Sequence, residues 1–428
     1  MEEELKVYKV EKILNYINGK LIEPKNGKYI PNYNPSTGKP YSLIPDSGKE
    51  DINMAVDAAK KAFKSWSNTT KQERSKILMK LADTIEEHFD ELVRAESKDN
   101  GKPETLAARV DIPRAPANIR FFAGAILHDS SKLHEMDGSA INYTLRQPLG
   151  VAACISPWNL PLYLLTWKIA PALATGNTVV AKPSEITPMT AYLLSKICIE
   201  SGLPEGVLNI VHGTGKRTGD PLTTHPDTPI VSFTGGTATG KHIASVTAPM
   251  FKKISLELGG KNPNIIFSDS DFDKAVSFAS RAAFTNQGQI CLCGSRIFIQ
   301  EDIYKKFKES LISKASKLKV GNPKDINSNL GAVVSEEHMN KILSKIEQSK
   351  QLGGKILLGG EREILNGEFK DGYYIQPTII EGLPYDCDIN QEEIFGPVVS
   401  MIPFKTEEEV IQMANSTKYG LSASIFTE

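Results

Sequence analysis

The chain has 428 residues, 40% hydrophobic and 24% charged, with 32 Gly and 25 Pro. That length is enough for two or three domains with large cores, and the composition excludes disordered, collagen-like and disulfide-scaffold classes. Lys and Arg number 50 against 51 Asp and Glu, a net charge of -1 with the basic residues scattered, so no nucleic-acid footprint is present.

Taken in chain order, the opening Met-Glu-Glu-Glu-Leu-Lys lacks the apolar stretch of a secretory signal, and a cytoplasmic location is expected. Between Asp51 and Lys98 apolar residues recur at helical spacing (Ile52, Ala55, Ala59, Phe63, then Leu78, Leu81, Ile85, Leu92), which predicts two amphipathic helices. Leu133 to Gly150 alternates apolar and polar around Asp137-Gly138 and predicts a hairpin that can pair with another subunit. The uncharged run Gln147 to Trp167 is long enough to cross a bilayer. It carries Pro148, Pro157, Pro161, Gly150 and Asn159, however, which would strand backbone groups in lipid, so no membrane span is expected.

From Val151 short β-branched runs alternate with helical stretches at 161–174, 187–202 and 237–248, the pattern of a parallel sheet covered on both faces. After Asn262 a second α/β lobe follows, with strands near 264–267 and 296–300 and helices near 271–285, 302–317 and 335–352. The five cysteines include no C-x-x-C and the seven histidines no H-x-x-x-H, so neither a disulfide framework nor a metal site is expected.

Chemistry-bearing residues fall at the ends of these elements. Cys291 follows a glycine-containing polar turn after a predicted helix, where a thiol can become a nucleophile. The alternative, a small buried residue, is stronger for Cys293. Glu257 stands between Leu256 and Leu258 before Gly259-Gly260, so burial is expected to raise its pKa and suit it to activating water. Asn159 leaves the first strand toward a helix and can donate to an oxyanion, or serve only as a turn residue. Lys182 and Glu185 end the next strand, where an open α/β sheet holds a dinucleotide ribose, and Glu185 would repel a 2′-phosphate. The Gly235-Gly236 turn, with Gly240 beyond it, follows a strand and opens a helix, so its amides can cradle pyrophosphate.

These motifs converge. Phe-x-Asn-x-Gly-Gln-x-Cys ending at Cys291, Leu-Glu-Leu-Gly-Gly-Lys around Glu257, Pro-Trp-Asn-x-Pro around Asn159, Lys-Pro-Ser-Glu from Lys182, Phe-Thr-Gly-x-Thr-x-x-Gly from Phe233 and Glu-Ile-Phe-Gly-Pro from Glu393 occur in an order that resembles the NAD(P)-dependent aldehyde dehydrogenases, from about Asn18 to the last residue. The resemblance implies a Rossmann-type cofactor domain, an α/β catalytic domain and an oligomerisation hairpin. The boundaries expected are 1–130 (N-terminal helical part of the cofactor domain), 131–149 (hairpin), 150–259 (NAD-binding) and 260–428 (catalytic). It implies Cys291 as nucleophile, Glu257 as general base and Asn159 as oxyanion donor. NAD contacts are implied at Ile155, Ser156, Trp158, Lys182, Ser184, Glu185, Gly235, Gly236, Gly240, Leu258, Glu393 and Phe395.

Members of the family usually continue past the equivalent of Glu428 through a segment that completes the substrate funnel and pairs across subunits. The chain is therefore expected to be a fragment or shortened form, a homodimer or homotetramer if that strand is present. For the substrate, aligned positions place Arg114 in the funnel with Leu160 and Trp167, and a guanidinium there suggests a carboxylated substrate. With Ile-Cys-Leu-Cys around the nucleophile, this resembles the 2-aminomuconic and hydroxymuconic semialdehyde dehydrogenases, the former acting in tryptophan breakdown through kynurenine. The alternatives are a neutral-aldehyde or betaine-aldehyde enzyme, and a non-catalytic NAD-binding chain.

Overall fold

The computed structural model describes residues 11–428, so the acidic opening hexapeptide lies outside them. Two compact units divide the chain. The first takes residues through Asn32 with Tyr41–Glu96 and Ala108–Glu257, and the second Tyr33–Pro40, Ser97–Ala107 and Leu258–Glu428. The division thus falls after Glu257 rather than after Gly259, and two short early segments belong to the second unit. Hydrogen bonds invisible in local sequence hold them there: Pro35 O accepts from Tyr373 N (3.0 Å) and Gly101 O from Ala332 N (3.1 Å).

In the first unit, Val151–Ile155 and Thr178–Lys182 are buried at every position, as strands covered on both faces must be. They occupy the middle of a seven-stranded sheet ordered Lys253–Glu257, Ile230–Thr234, Val151–Ile155, Thr178–Lys182, Leu208–Ile210, Asn15–Ile17, Lys20–Ile22. The first five run parallel, and Asn15–Ile17 pairs antiparallel with both Leu208–Ile210 and Lys20–Ile22. Counted along the chain from Val151, the parallel strands follow the doubly wound order, whose reversal lies between Val151–Ile155 and Ile230–Thr234. Ligands bind at such a reversal, beyond the strands' carboxyl ends.

Helix Lys49–Trp66 buries Ile52, Ala55, Val56, Ala59, Ala62 and Trp66 along one stripe, and the Trp66 indole N–H donates to Leu173 O (3.1 Å). The region 51–98 holds three helices, not two: Lys49–Trp66, Lys71–Glu87 and Phe89–Asn100. His88 leaves helical geometry (φ -94°, ψ 17°) without disturbing the apolar spacing that runs on to Leu92, which hides the break from the sequence. Strands Leu133–Met136 and Ala140–Tyr143 form the expected antiparallel hairpin, turned by Asp137 and Gly138 at positive φ. Every residue of its two strands is exposed.

The second unit is built on a six-stranded sheet ordered Lys355–Leu358, Thr378–Glu381, Val398–Phe404, Arg296–Gln300, Pro263–Ile266, Ser424–Phe426, parallel except for its first member. Helices Phe272–Phe284 and Glu336–Gln351 begin at side-chain caps, with Asp271 accepting from Lys274 N and Ser335 from His338 N. Among the described residues, no helix is long and apolar enough to cross a membrane.

Arg296 is fully buried at the start of its strand and donates to three carbonyls, Lys261 O (3.0 Å), Met413 O (3.1 Å) and Ala414 O (2.8 Å). Arg296→Met leaves those carbonyls without a donor, and a loss of about 3 kcal/mol is expected, the usual scale for hydrogen bonds to a buried charge. Thermal or urea unfolding measures it; an unchanged midpoint contradicts the assignment.

Candidate active site

In the first unit, Ile155, Ser156, Trp158, Lys182, Ser184, Glu185, Gly235 and Gly236 line one cavity of about 570 Å³ at the reversal point of the sheet. The strand ends supply them in register, since Ile155 lies opposite both Lys182 and Phe233, and Ser156 N donates to Lys182 O (3.1 Å). Lys182 Nζ donates to Glu185 Oε2 (3.0 Å) and Pro183 O (3.1 Å), and Glu185 Oε1 accepts from Gly215 N (3.3 Å). Burial pushes the Glu185 pKa up, but Lys182 beside it and the N–H donors hold it below the usual carboxylate range. A fixed negative charge is therefore built into this wall.

The cavity suits a dinucleotide. Ser156 Oγ is buried with no protein partner, leaving a hydroxyl for a ligand. A Cβ on Gly236 or Gly215 would project into open space, so both backbones can be approached closely. Gly236 caps helix Thr237–Thr247, whose first N–H groups are available to an anion. Of the other implied contacts, Gly240 is buried within that helix and bonds Gly236 O, so it shapes the turn rather than lining the space. Leu258 does not line it either, being the first residue of the second unit.

Glu257 ends the edge strand of the first sheet and is exposed, contrary to the expected burial. Its flanking leucines do not enclose it because an edge strand has a neighbour on one side only. Beneath it lies a residue the sequence did not single out: Lys168, buried, donates to Ser232 Oγ (3.2 Å), and burial pushes its pKa down to about 8 against the opposing pull of Cys154 and Glu257.

Asn159 is buried in the bend between Val151–Ile155 and helix Pro161–Ala174, and Leu160 beside it is buried too. Arg114 occupies the first turn of helix Ile112–Ala125 and is exposed. Its Nη2 donates to Tyr163 Oη (3.1 Å), and its guanidinium lies over the Tyr163 ring at 5.1 Å. Trp167, exposed on the same helix as Tyr163, meets Phe122 edge to face at 5.6 Å.

In the second unit, Cys291 is partly exposed in the loop that follows helix Phe272–Phe284. Asn286, Gln287 and Gly288 adopt left-handed backbone conformations in succession (φ 54°, 56° and 69°). Side-chain amides hold this path: Gln287 Nε2 donates to Ala332 O (3.1 Å), Gln287 Oε1 accepts from Gly331 N (3.2 Å) and Gln289 Oε1 from Val334 N (3.0 Å). Asn262 Nδ2 donates to Cys291 O (2.6 Å) and Cys293 O (3.0 Å). Glu393 Oε1 accepts from Gly260 N (3.0 Å), and burial pushes its pKa up. Phe395 sits at φ 59°, its carbonyl bonded to His338.

Comparison with known proteins places these halves in context. A model of the aldehyde dehydrogenase family matches residues 21–428. A 2-aminomuconic semialdehyde dehydrogenase of Danio rerio is 50% identical over 416 residues, 96% of this chain and 85% of that protein. A 2-hydroxymuconic semialdehyde dehydrogenase of Pseudomonas sp. strain CF600 is 42% identical over 98% of this chain and 87% of its own length. The structure of an aldehyde dehydrogenase from Bacillus cereus in complex with NAD+ superposes with a TM-score of 0.95 at 39% identity, covering 100% of this chain and 87% of that one.

Cys293 is buried and its thiol is pushed up to about 12, chiefly by burial. Because the thiolate is the reactive form, brief iodoacetamide treatment at pH 8 is expected to label Cys291 at least about a hundredfold faster than Cys293. Peptide mapping reads the ratio, and preferential labelling of Cys293 contradicts it.

Proposed function

The chain belongs to the aldehyde dehydrogenase family, and on that premise we propose that its substrate is a carboxylated semialdehyde of the 2-aminomuconic type. The reaction is NAD-dependent oxidation of an aldehyde to a carboxylic acid. In our reading the Cys291 thiolate adds to the aldehyde carbon, forming a C–S bond and an oxyanion to which the Asn159 amide donates. Re-formation of the carbonyl expels hydride from that carbon, leaving a thioester on Cys291. NAD, when bound, supplies the hydride acceptor, with Ser156, Lys182, Glu185 and the Gly235-Gly236 turn as the residues that hold it. Glu257 then takes a proton from water, the hydroxide adds to the thioester, and the C–S bond breaks to release acid and thiolate. The exposure of Glu257 supports this role, because a base for hydrolysis needs access to solvent water.

The observation that carries the substrate reading is Arg114, an exposed guanidinium steadied by Tyr163. A carboxylate can form charge-assisted hydrogen bonds with it, a neutral aldehyde cannot, and a cationic one such as betaine aldehyde is repelled. The relatives named for muconic semialdehydes support the same choice. The Glu185 carboxylate supports NAD over NADP, since a 2′-phosphate would meet a like charge. We further propose a homodimer or homotetramer in the cytoplasm. A two-stranded hairpin is marginal alone in water, and this one exposes Leu133, Met136, Ile141 and Tyr143.

Two measurements test the reading. Glu257→Gln is expected to keep a pre-steady-state burst of NADH and then turn over very slowly, because an amide cannot accept the proton of water. Loss of the burst would assign Glu257 an earlier step. Arg114→Leu is expected to reduce kcat/KM for succinic or 2-hydroxymuconic semialdehyde by roughly ten- to a hundredfold, the scale of a charge-assisted pair, while propanal loses little. Equal losses on both substrate types would make Arg114 a helix-stabilising residue.

A further inference from the structure

His338 is a partly buried imidazole to which the reaction sequence gives no part. It stands in the first turn of helix Glu336–Gln351, its backbone N–H donating to the capping Ser335 Oγ (3.1 Å). Its ring is aimed across the second unit at a turn 57 residues on, where Nε2 lies 2.7 Å from Phe395 O. The two rings also meet edge to face, with centroids 6.3 Å apart. A carbonyl can only accept, so Nε2 carries the proton. Burial pushes the imidazole pKa down to about 4, which leaves the ring neutral with that single proton committed to Phe395.

The accepting residue is one that needs holding. Phe395 has φ 59°, a left-handed conformation that a bulky L-residue seldom adopts without surrounding structure to enforce it. The turn has little room to relax. A Cβ on Gly288 would come within 2.0 Å of Gly396 O, and one on Gly396 within 2.5 Å of Ile342, which lies on the same helix as His338. On the other side Glu393 is fastened by Gly260 N (3.0 Å). Helix Glu336–Gln351 therefore backs the Glu393–Gly396 turn by packing and by the directional His338–Phe395 bond, and the turn in turn abuts Gly288, three residues before Cys291.

We propose that His338 is a positioning residue for the cofactor: its Nε2–H···O=C bond fixes the strained Phe395 turn and so presents Glu393 and Phe395 for NAD binding. This rests on the reading of Glu393 and Phe395 as NAD contacts, which the family resemblance implies. The bond requires a donor that reaches the Phe395 carbonyl, not an imidazole as such, so an amide of sufficient length can replace it and an aliphatic side chain cannot.

The test uses the full-length protein and NADH as probe, read by fluorescence titration together with KM for NAD, kcat at saturating NAD and the melting temperature. His338→Leu is expected to weaken NADH binding and raise KM for NAD by roughly five- to thirtyfold, the range of one lost hydrogen bond, with a much smaller change in kcat. His338→Gln is expected to recover most of that affinity. His338→Asn, whose amide is too short to reach, repeats the loss and serves if the Leu variant does not fold. A lowered melting temperature with unchanged NADH affinity in both Leu and Asn variants would make His338 a structural residue only and overturn the proposal, as would failure of Gln to rescue. Glu393→Gln separates the two levels. If it leaves NADH binding unchanged, the cofactor reading of the turn fails and the inference with it. If it weakens binding while His338→Leu does not, the inference alone fails.

Discussion

The backbone path into Cys291 is the constraint on which the exposure of that thiol depends. Three consecutive residues, Asn286 to Gly288, lie in the left-handed region, and only the last is a glycine. Each of the other two costs on the order of 1 kcal/mol or more to hold there, so an unrestrained loop would relax to another path. It is restrained by amides: Gln287 and Gln289 bond the backbone of 331–334, and Asn262 bridges the carbonyls of Cys291 and Cys293. Amide side chains suit this task because each offers a donor and an acceptor and stays uncharged, so they satisfy backbone groups without placing a charge beside the thiol. The repeated Asn and Gln in Phe-Thr-Asn-Gln-Gly-Gln-Ile-Cys are thus scaffolding for the cysteine rather than reagents.

The first unit solves a different problem, burying cations without leaving them unpaired. Lys182 is enclosed but meets Glu185 and Pro183 O. Arg74 is buried and donates to Ala174 O, and Lys252 donates to Thr223 O and Thr228 Oγ1 while burial pulls its pKa down to about 8. An unpaired buried charge would be far more destabilising than any of these contacts is stabilising. At the cavity the arrangement also fixes sign: Glu185 is held ionised by Lys182 and Gly215 N, and its depressed pKa means that this contribution to stability is complete above the normal carboxylate range and fades as pH falls through the folded value. The same pairing that stabilises the strand end therefore keeps a negative charge on the wall of that cavity.

Much of this was legible beforehand. Continuous apolar runs at 151–155 and 178–182 announced central parallel strands, and the Asp-Gly step announced the hairpin, because both signals are local. Most of the motif residues of the first unit line one cavity together, since each stands where a strand ends. What sequence did not carry was lateral order. Glu257 between two leucines reads as buried, yet its strand proved to be the sheet edge, and nothing within Leu-Glu-Leu says so. Tyr163 under Arg114 and Lys168 beneath Glu257 are spaced along an ordinary helix, while His338 and Asn262 act on residues dozens of positions away. Partners of that kind are fixed by tertiary packing, and a single chain gives no periodic or local sign of them.

That packing also determines which sulfur is accessible as a thiolate. Cys154 and Cys293 are buried and their thiols pushed up to about 12, and burial drives Cys198 higher still. A thiol so far above neutrality presents almost no thiolate at working pH, so these cysteines are chemically silent however close they lie to a reactive centre. Cys291 differs in being partly exposed, at the end of the pinned loop, with its carbonyl tied to Asn262. Selectivity between two cysteines only two positions apart is therefore a desolvation effect imposed by the loop: the path that exposes residue 291 is the one that buries residue 293. Any change that loosens the loop should erode that contrast before it unfolds the unit, because the pinning bonds are few and directional whereas the surrounding core is large.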